Sequence, residues 1–240
     1  MKERETGDFM SELINTESEL SDAEKERKSN RIEFIVVIML GITAVATAWS
    51  TWQGGLHGSQ MDQKYTMANN LTSEANSMYN EGVQNLSQDM LIWNQLSGLY
   101  IDYAFAQEKR DSDEVEKLEY KIGQIMDDNL TEEFAEAIDW TETQEGYASP
   151  FDNEDFVDTY FEAAWEKFDE ADEMLEAGNE NNTHGDNQGL VSVIYAVILF
   201  LLGITASFKQ LKPKYFLLAV SGIGFVIATV FMFTIPIVMP

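Results

Sequence analysis

The chain has 240 residues, no cysteine and a formal net charge of −27, from 15 Lys and Arg against 42 Asp and Glu. The missing thiols exclude disulfides, thiolate zinc sites, iron–sulfur clusters and cysteine nucleophiles, and so acidic a chain is repelled by nucleic acids and anionic head groups. Residues 34–56, 187–208 and 215–240 carry no charge at all, runs of 23, 22 and 26 residues; each reaches the roughly 20 apolar residues that cross a bilayer as a helix, which excludes a simple soluble domain.

In chain order, residues 1–31 are polar and read as a flexible cytoplasmic tail, with a short amphipathic helix opening near Ser18. The first span, 32–53, carries Gly41, Ala44 and Ala48 on one stripe and Thr43, Thr47 and Thr51 on the next; Trp49 and Trp52 are the anchors expected at its outer interface. A cleaved signal peptide fits less well than a retained anchor, because the apolar run exceeds a signal core and follows a long charged tail. Gly54, Gly55 and Gly58 then invite a turn or hinge.

Residues 54–188 hold the charge: between Gln53 and Gln188 there are 32 Asp and Glu against 6 Lys and Arg. From Ser59 to Lys109 apolar residues recur every three or four positions, which predicts one long or two consecutive amphipathic helices, with Gly82 and Gly98 as possible bends. An Asp111 cap opens a helix ending near Asp127, a weaker helix covers Leu130–Glu145, and Gly146–Pro150 is a loop. A helix capped by Asp152 or Asn153 runs through Phe156, Tyr160, Ala164 and Phe168 to a stop at Gly178, and 179–188 is a linker. Spans 189–208 and 215–238 form a hairpin through the basic turn 209–214.

Basic residues nearest a bilayer face the cytoplasm. Lys25, Arg27, Lys28 and Arg31 precede the first span, and Lys209, Lys212 and Lys214 lie between the second and third. Both clusters agree on one threading, with the N-terminus cytoplasmic and both 54–188 and the C-terminus extracytoplasmic. The expected fold is therefore all-α: an integral membrane protein of three transmembrane helices with an extracytoplasmic helical hairpin or bundle.

Chemistry is sparse. His57 and His184 could approach each other as a proton sensor or metal pair, two exposed loop histidines being the simpler reading, and no zinc, nucleophile-elbow, phosphate-loop or dinucleotide motif occurs. No catalytic or cofactor-binding residue is assigned and the enzyme class is disfavoured; the acidic runs imply weak divalent cation binding at most, with metal ligands unknown. The Thr43, Thr47 and Thr51 stripe lines either a pore or a helix contact, hydroxyls bonded to backbone being the simpler reading. Small-residue stripes on few spans call for partners, so the chain is expected to be a homo-oligomer in the bilayer, with coiled-coil-like helix packing and no nucleic acid partner.

The run Ala48-Trp49-Ser50-Thr51-Trp52-Gln53, followed by Gly58-Ser59-Gln60 and a long helix, resembles the end of the first span in uncharacterised prokaryotic membrane proteins with one span, a helical insertion and a terminal hairpin. That resemblance implies a layout and no activity. The leading functional expectation is an assembly or scaffold module that presents the acidic domain outside. The alternative is an oligomeric cation channel with an acidic outer vestibule, and the third a ligand sensor.

Overall fold

The structure, a computed structural model, describes the backbone of residues 2–208 and 210–239 and the side chains of 23–208 and 210–239. Its elements are α1 (Lys2–Lys109), α2 (Ser112–Asn129), α3 (Glu132–Glu142), a 3-10 turn (Pro150–Asp152), α4 (Glu154–Thr159), α5 (Glu162–Thr205) and α6 (Leu211–Thr234). The described residues contain no strand. Three helices are long and apolar enough to cross a membrane, within Ala23–Lys109, Glu162–Thr205 and Leu211–Thr234. The tail expected over residues 1–31 lies largely outside the described side chains.

The chain divides into two compact units, Met1–Gln63 with Ala177–Pro240, and Lys64–Glu176. We call them the terminal and central units. In the terminal unit Ile32 and Val36 of α1, Val191, Tyr195, Ile198 and Leu202 of α5, and Ala228 and Met232 of α6 share one core. Their spacing of three, four or seven residues gives each helix one inward stripe. Contacts at both ends fix the directions. Lys214 of α6 reaches Ser29 and Glu33 of α1, and Val238, past α6, reaches Gln53, so α1 and α6 run parallel. Ser50 meets Gln188 and Thr51 meets Ser192, and His57 meets Asn181, so α5 runs against α1.

The glycine-rich stretch after the first span is helical, not a turn, and the residues expected as the 179–188 linker are helical too. Each helical glycine costs about 1 kcal/mol relative to alanine. Close approach offsets the cost: a Cβ on Gly54 would lie 3.4 Å from Gln188 Cβ and 3.5 Å from the Gly185 carbonyl oxygen, and one on Gly185 would lie 3.5 Å from the Gly54 carbonyl oxygen. The two weak helical stretches are therefore propped against each other. Lys214, expected in the basic turn, lies inside α6.

In the central unit Leu96 of α1, Ile122 of α2, Phe134, Ala137 and Ile138 of α3 and Phe156 of α4 form the core. Phe134 stacks on Phe156 at 5.5 Å between ring centroids. Side-chain caps set the boundaries: Asp111 accepts from Glu114 N, Thr131 from Phe134 N and Asn153 from Phe156 N, and Ser149 and Asp152 form a reciprocal capping box. The single helix expected from 153 to 178 is interrupted at Tyr160–Phe161. The interruption brings the Tyr160 carbonyl oxygen into the space a Cβ on Gly82 would take, so Gly82 is a contact point and not a bend. Nor does Gly98 interrupt α1; its Cβ position is open.

Gly82→Ala is therefore expected to destabilise the central unit by about 1–3 kcal/mol through forced backbone displacement, while Gly98→Ala, sixteen residues on, should be neutral or stabilising by up to about 1 kcal/mol. Denaturant melts followed by circular dichroism compare them; equal effects would show that Tyr160 does not close on Gly82.

Candidate functional site

The central unit contains a cleft of about 790 Å³ lined by α1 from Met78 to Asp89, by Asn129, Thr131 and Glu133, and by the α4–α5 junction from Phe156 to Ala164. The Gly82–Tyr160 contact ties two of these walls together. On its lining Asp89, 9% exposed, accepts a 2.5 Å hydrogen bond at Oδ2 from the Tyr160 hydroxyl. Among the described residues Tyr160 is its one hydrogen-bond partner. Burial pushes the Asp89 carboxyl up from the ordinary aspartate value, and the Tyr160 hydroxyl only partly counters this by favouring the charged form. Tyr160 is also pushed up, first by burial and then by its bond to Asp89. The pair sets a phenol against a carboxyl group whose charged form burial disfavours, with no cation paired to it among the described residues. Chemically it can accept a hydrogen bond or a positive charge.

A second polar cluster lies in the terminal unit. Ser50, Gln53, His57 and Gln188 are all at most 1% exposed. Ser50 Oγ donates to the Gln188 backbone and side-chain oxygens, both at 2.8 Å. The Gln53 amide pairs with Val238 as a strand would, Nε2 donating to its carbonyl at 3.1 Å and Oε1 accepting from its N–H at 2.9 Å. His57 Nδ1 lies 3.1 Å from Asn181 Oδ1, and Nε2 lies 3.0 Å from the Pro236 carbonyl oxygen. The two histidines, expected as exposed loop residues, sit on α1 and α5 with ring centroids 5.2 Å apart. His184 also faces Glu180 at 3.4 Å. Because both His57 nitrogens are engaged, this cluster joins helices; among the described residues no group of three His, Asp or Glu is placed to hold a metal ion.

The other residues singled out by sequence are placed as follows. Thr43 is buried with its hydroxyl unpartnered among the described residues, Thr47 donates to the Thr43 carbonyl at 2.8 Å, and Thr51 meets Ser192 at 3.2 Å. Two of the three hydroxyls are thus used within the chain. Trp49 and Trp52 contact edge-on at 5.2 Å and are both largely exposed. Lys28 pairs with Glu24 at 2.8 Å, Lys25, Arg27 and Arg31 lie on α1 and Lys212 on α6, and Lys209 is outside the described residues. Lys214, 3% exposed, donates to Glu33 at 2.6 Å and Ser29 at 2.8 Å.

Asp89, Tyr160, Gln53, Asn181 and Gln188 were not singled out. A faint signal for Asp89 exists: between Asn85 and Gln107 only it and Asp102 are charged, so a carboxylate there is an exception on a charge-poor helix. No protein-family model, curated protein or solved structure matches this chain.

Asp89→Asn keeps an acceptor for Tyr160 and removes the desolvated charge. Because burial raises the folded-state pKa, the protonated form favours folding: this contribution is complete below the ordinary aspartate range and is lost as pH rises through the raised value. The variant should match the parent in acid and melt higher than the parent at neutral pH. A difference that does not change between pH 4 and pH 7.5 would refute the assignment.

Proposed function

We propose that this protein is a non-enzymatic, homo-oligomeric membrane module that holds an acidic helical unit on the extracytoplasmic face. The single observation that carries the self-association is an unpaired apolar face on α1 in the central unit. Leu91, Ile101 and Phe105, 71%, 58% and 57% exposed, recur at helical spacing with Gly98 between them, whose Cβ position is open. The same stretch of helix is nearly free of charge in a region otherwise dense in carboxylates. Depletion of charge around exposed large apolar groups is the composition of an interface centre. A second copy of the chain fits best, since like-charged surfaces elsewhere tolerate contact only where charge is absent. In the terminal unit the Gly41, Ala44 and Ala48 stripe is likewise exposed, as small residues that admit a second helix in lipid would be.

Orientation rests on the basic residues. The Lys214 contacts with Ser29 and Glu33 support it, because they bring the two basic clusters to the same end of the terminal unit. The assembly reading is favoured over the channel by the internal bonds of Thr47 and Thr51, which leave that stripe little to offer an ion.

Two experiments test these claims. In a chain with no native thiol, Gly98→Cys should give a disulfide-linked dimer on mild oxidation in membranes, and adding Phe105→Asp should weaken association at least about tenfold, the equivalent of ~1.4 kcal/mol; a cysteine at Asp113 should cross-link no better than background. Equal yields at 98 and 113 would reject the interface. For orientation, Tyr147 is 87% exposed in the 143–149 loop, so chymotrypsin added to intact cells should cut there; protection until lysis would reverse the threading.

A further inference from the structure

The cleft at Asp89 has the size of a pocket for a small organic molecule, which ranges over roughly 300–1,000 Å³. Its charge is one-signed. Glu81, Asp89, Glu133 and Glu162 lie on the lining, and no Lys or Arg does. Three of these carboxylates are exposed and solvated, but Asp89 is more than nine-tenths buried, and Oδ1 has no hydrogen-bond partner among the described residues because Tyr160 bonds Oδ2. Burying a carboxylate against a neutral hydroxyl alone is unfavourable; a cation that reaches Oδ1 relieves it. Aromatic rings are close by: Tyr160 is half-buried, Phe156 is buried and stacked on Phe134, and the two meet edge-on at 5.2 Å on the cleft lining. Aromatic rings next to a buried carboxylate are the surroundings that attract an organic ammonium group.

A bare metal ion matches less well. Among the described residues no three carboxylates or imidazoles converge enough to hold one, and the volume far exceeds a dehydrated ion. The amides of Asn85, Gln88 and Asn129 add polar groups to the rim, while Met78, Ala163 and Ala164 add apolar surface for the body of a ligand.

We propose that the central cleft binds a small organic cation, an amine or quaternary ammonium compound, with its positive centre against Asp89 Oδ1 and its carbon skeleton against Tyr160, Met78 and Ala163. This site is independent of the self-association described above, and its failure would leave the cross-linking result untouched.

The test is titration calorimetry on the purified full-length protein in zwitterionic nanodiscs at fixed ionic strength, with putrescine and choline as probes and sodium and magnesium as inorganic controls. Saturable binding of one putrescine or one choline per chain is expected. Putrescine in preference to choline would identify a primary-ammonium hydrogen bond at Asp89, and choline in preference would identify the Tyr160 ring as the dominant contact. Asp89→Asn should weaken binding at least about tenfold, with Tyr160→Phe intermediate. Circular dichroism and the melting behaviour of Asp89→Asn separate loss of binding from loss of fold. Three outcomes overturn the proposal: no saturable heat with either amine, amine binding unchanged in a folded Asp89→Asn variant, or stoichiometric magnesium binding that excludes the amines. The second would mean a diffuse counterion atmosphere, and the third a metal site.

Discussion

A polar side chain drawn into a helix contact must bring its partner with it, since an unpaired buried donor or acceptor costs about 1–3 kcal/mol. The terminal unit is organised by that requirement. Ser50, Gln53 and His57 occupy successive turns of one face of α1, and each is answered by a group far away in sequence: Gln188, Val238, Asn181 and Pro236. Apolar packing among Val36, Tyr195 and Met232 tolerates sliding by a turn; these bonds do not. They fix the register of α1 against α5 and hold the segment after α6 against α1. The Gly54–Gly185 approach is what lets the backbones come near enough for such short side chains to meet.

The central unit departs from this rule at one place. Asp89 is buried with a hydroxyl for a partner where a cation would be expected. Natural sequences break local consistency mostly where function requires it, and the open cleft at Asp89 supplies the setting in which a missing partner can be a ligand. The contrast with Lys214 is instructive. That lysine is also buried, yet it finds a carboxylate and a hydroxyl, Glu33 and Ser29, within the chain.

The parts of the fold legible in sequence are those encoded within a few residues. Uncharged runs mark the three segments long and apolar enough to cross a membrane, and Asp111, Thr131 and Asn153 mark helix starts because a cap and its amide are three residues apart. The parts that were illegible are encoded across long separations. Residues 54–58 and 179–188 look like turns because glycine and asparagine are poor helix formers, and only their mutual packing, more than a hundred residues apart, makes both helical. For the same reason His57 and His184 read as solvent-exposed. The break at Tyr160 was hidden differently: the apolar pattern continues across it, and Gly82, which leaves room for the Tyr160 carbonyl, lies far away in sequence. The candidate site inherits that difficulty. Asp89 and Tyr160 are 71 residues apart, and neither belongs to a motif.

Electrostatics connects these features to the proposed assembly. In a chain of net charge −27, two copies repel until salt screens them, with a Debye length of about 8 Å at physiological ionic strength. An interface must then be short-ranged, apolar and locally free of carboxylates, which is the character of α1 around Leu91, Ile101 and Phe105. The same reasoning bears on the proposed threading. Since the buried Lys214 is paired with the half-exposed Glu33, orientation falls mainly to Lys25, Arg27, Lys28, Arg31, Lys209 and Lys212, and removing Lys214 would disturb the packing of α6 on α1 more than the direction in which the chain crosses the bilayer.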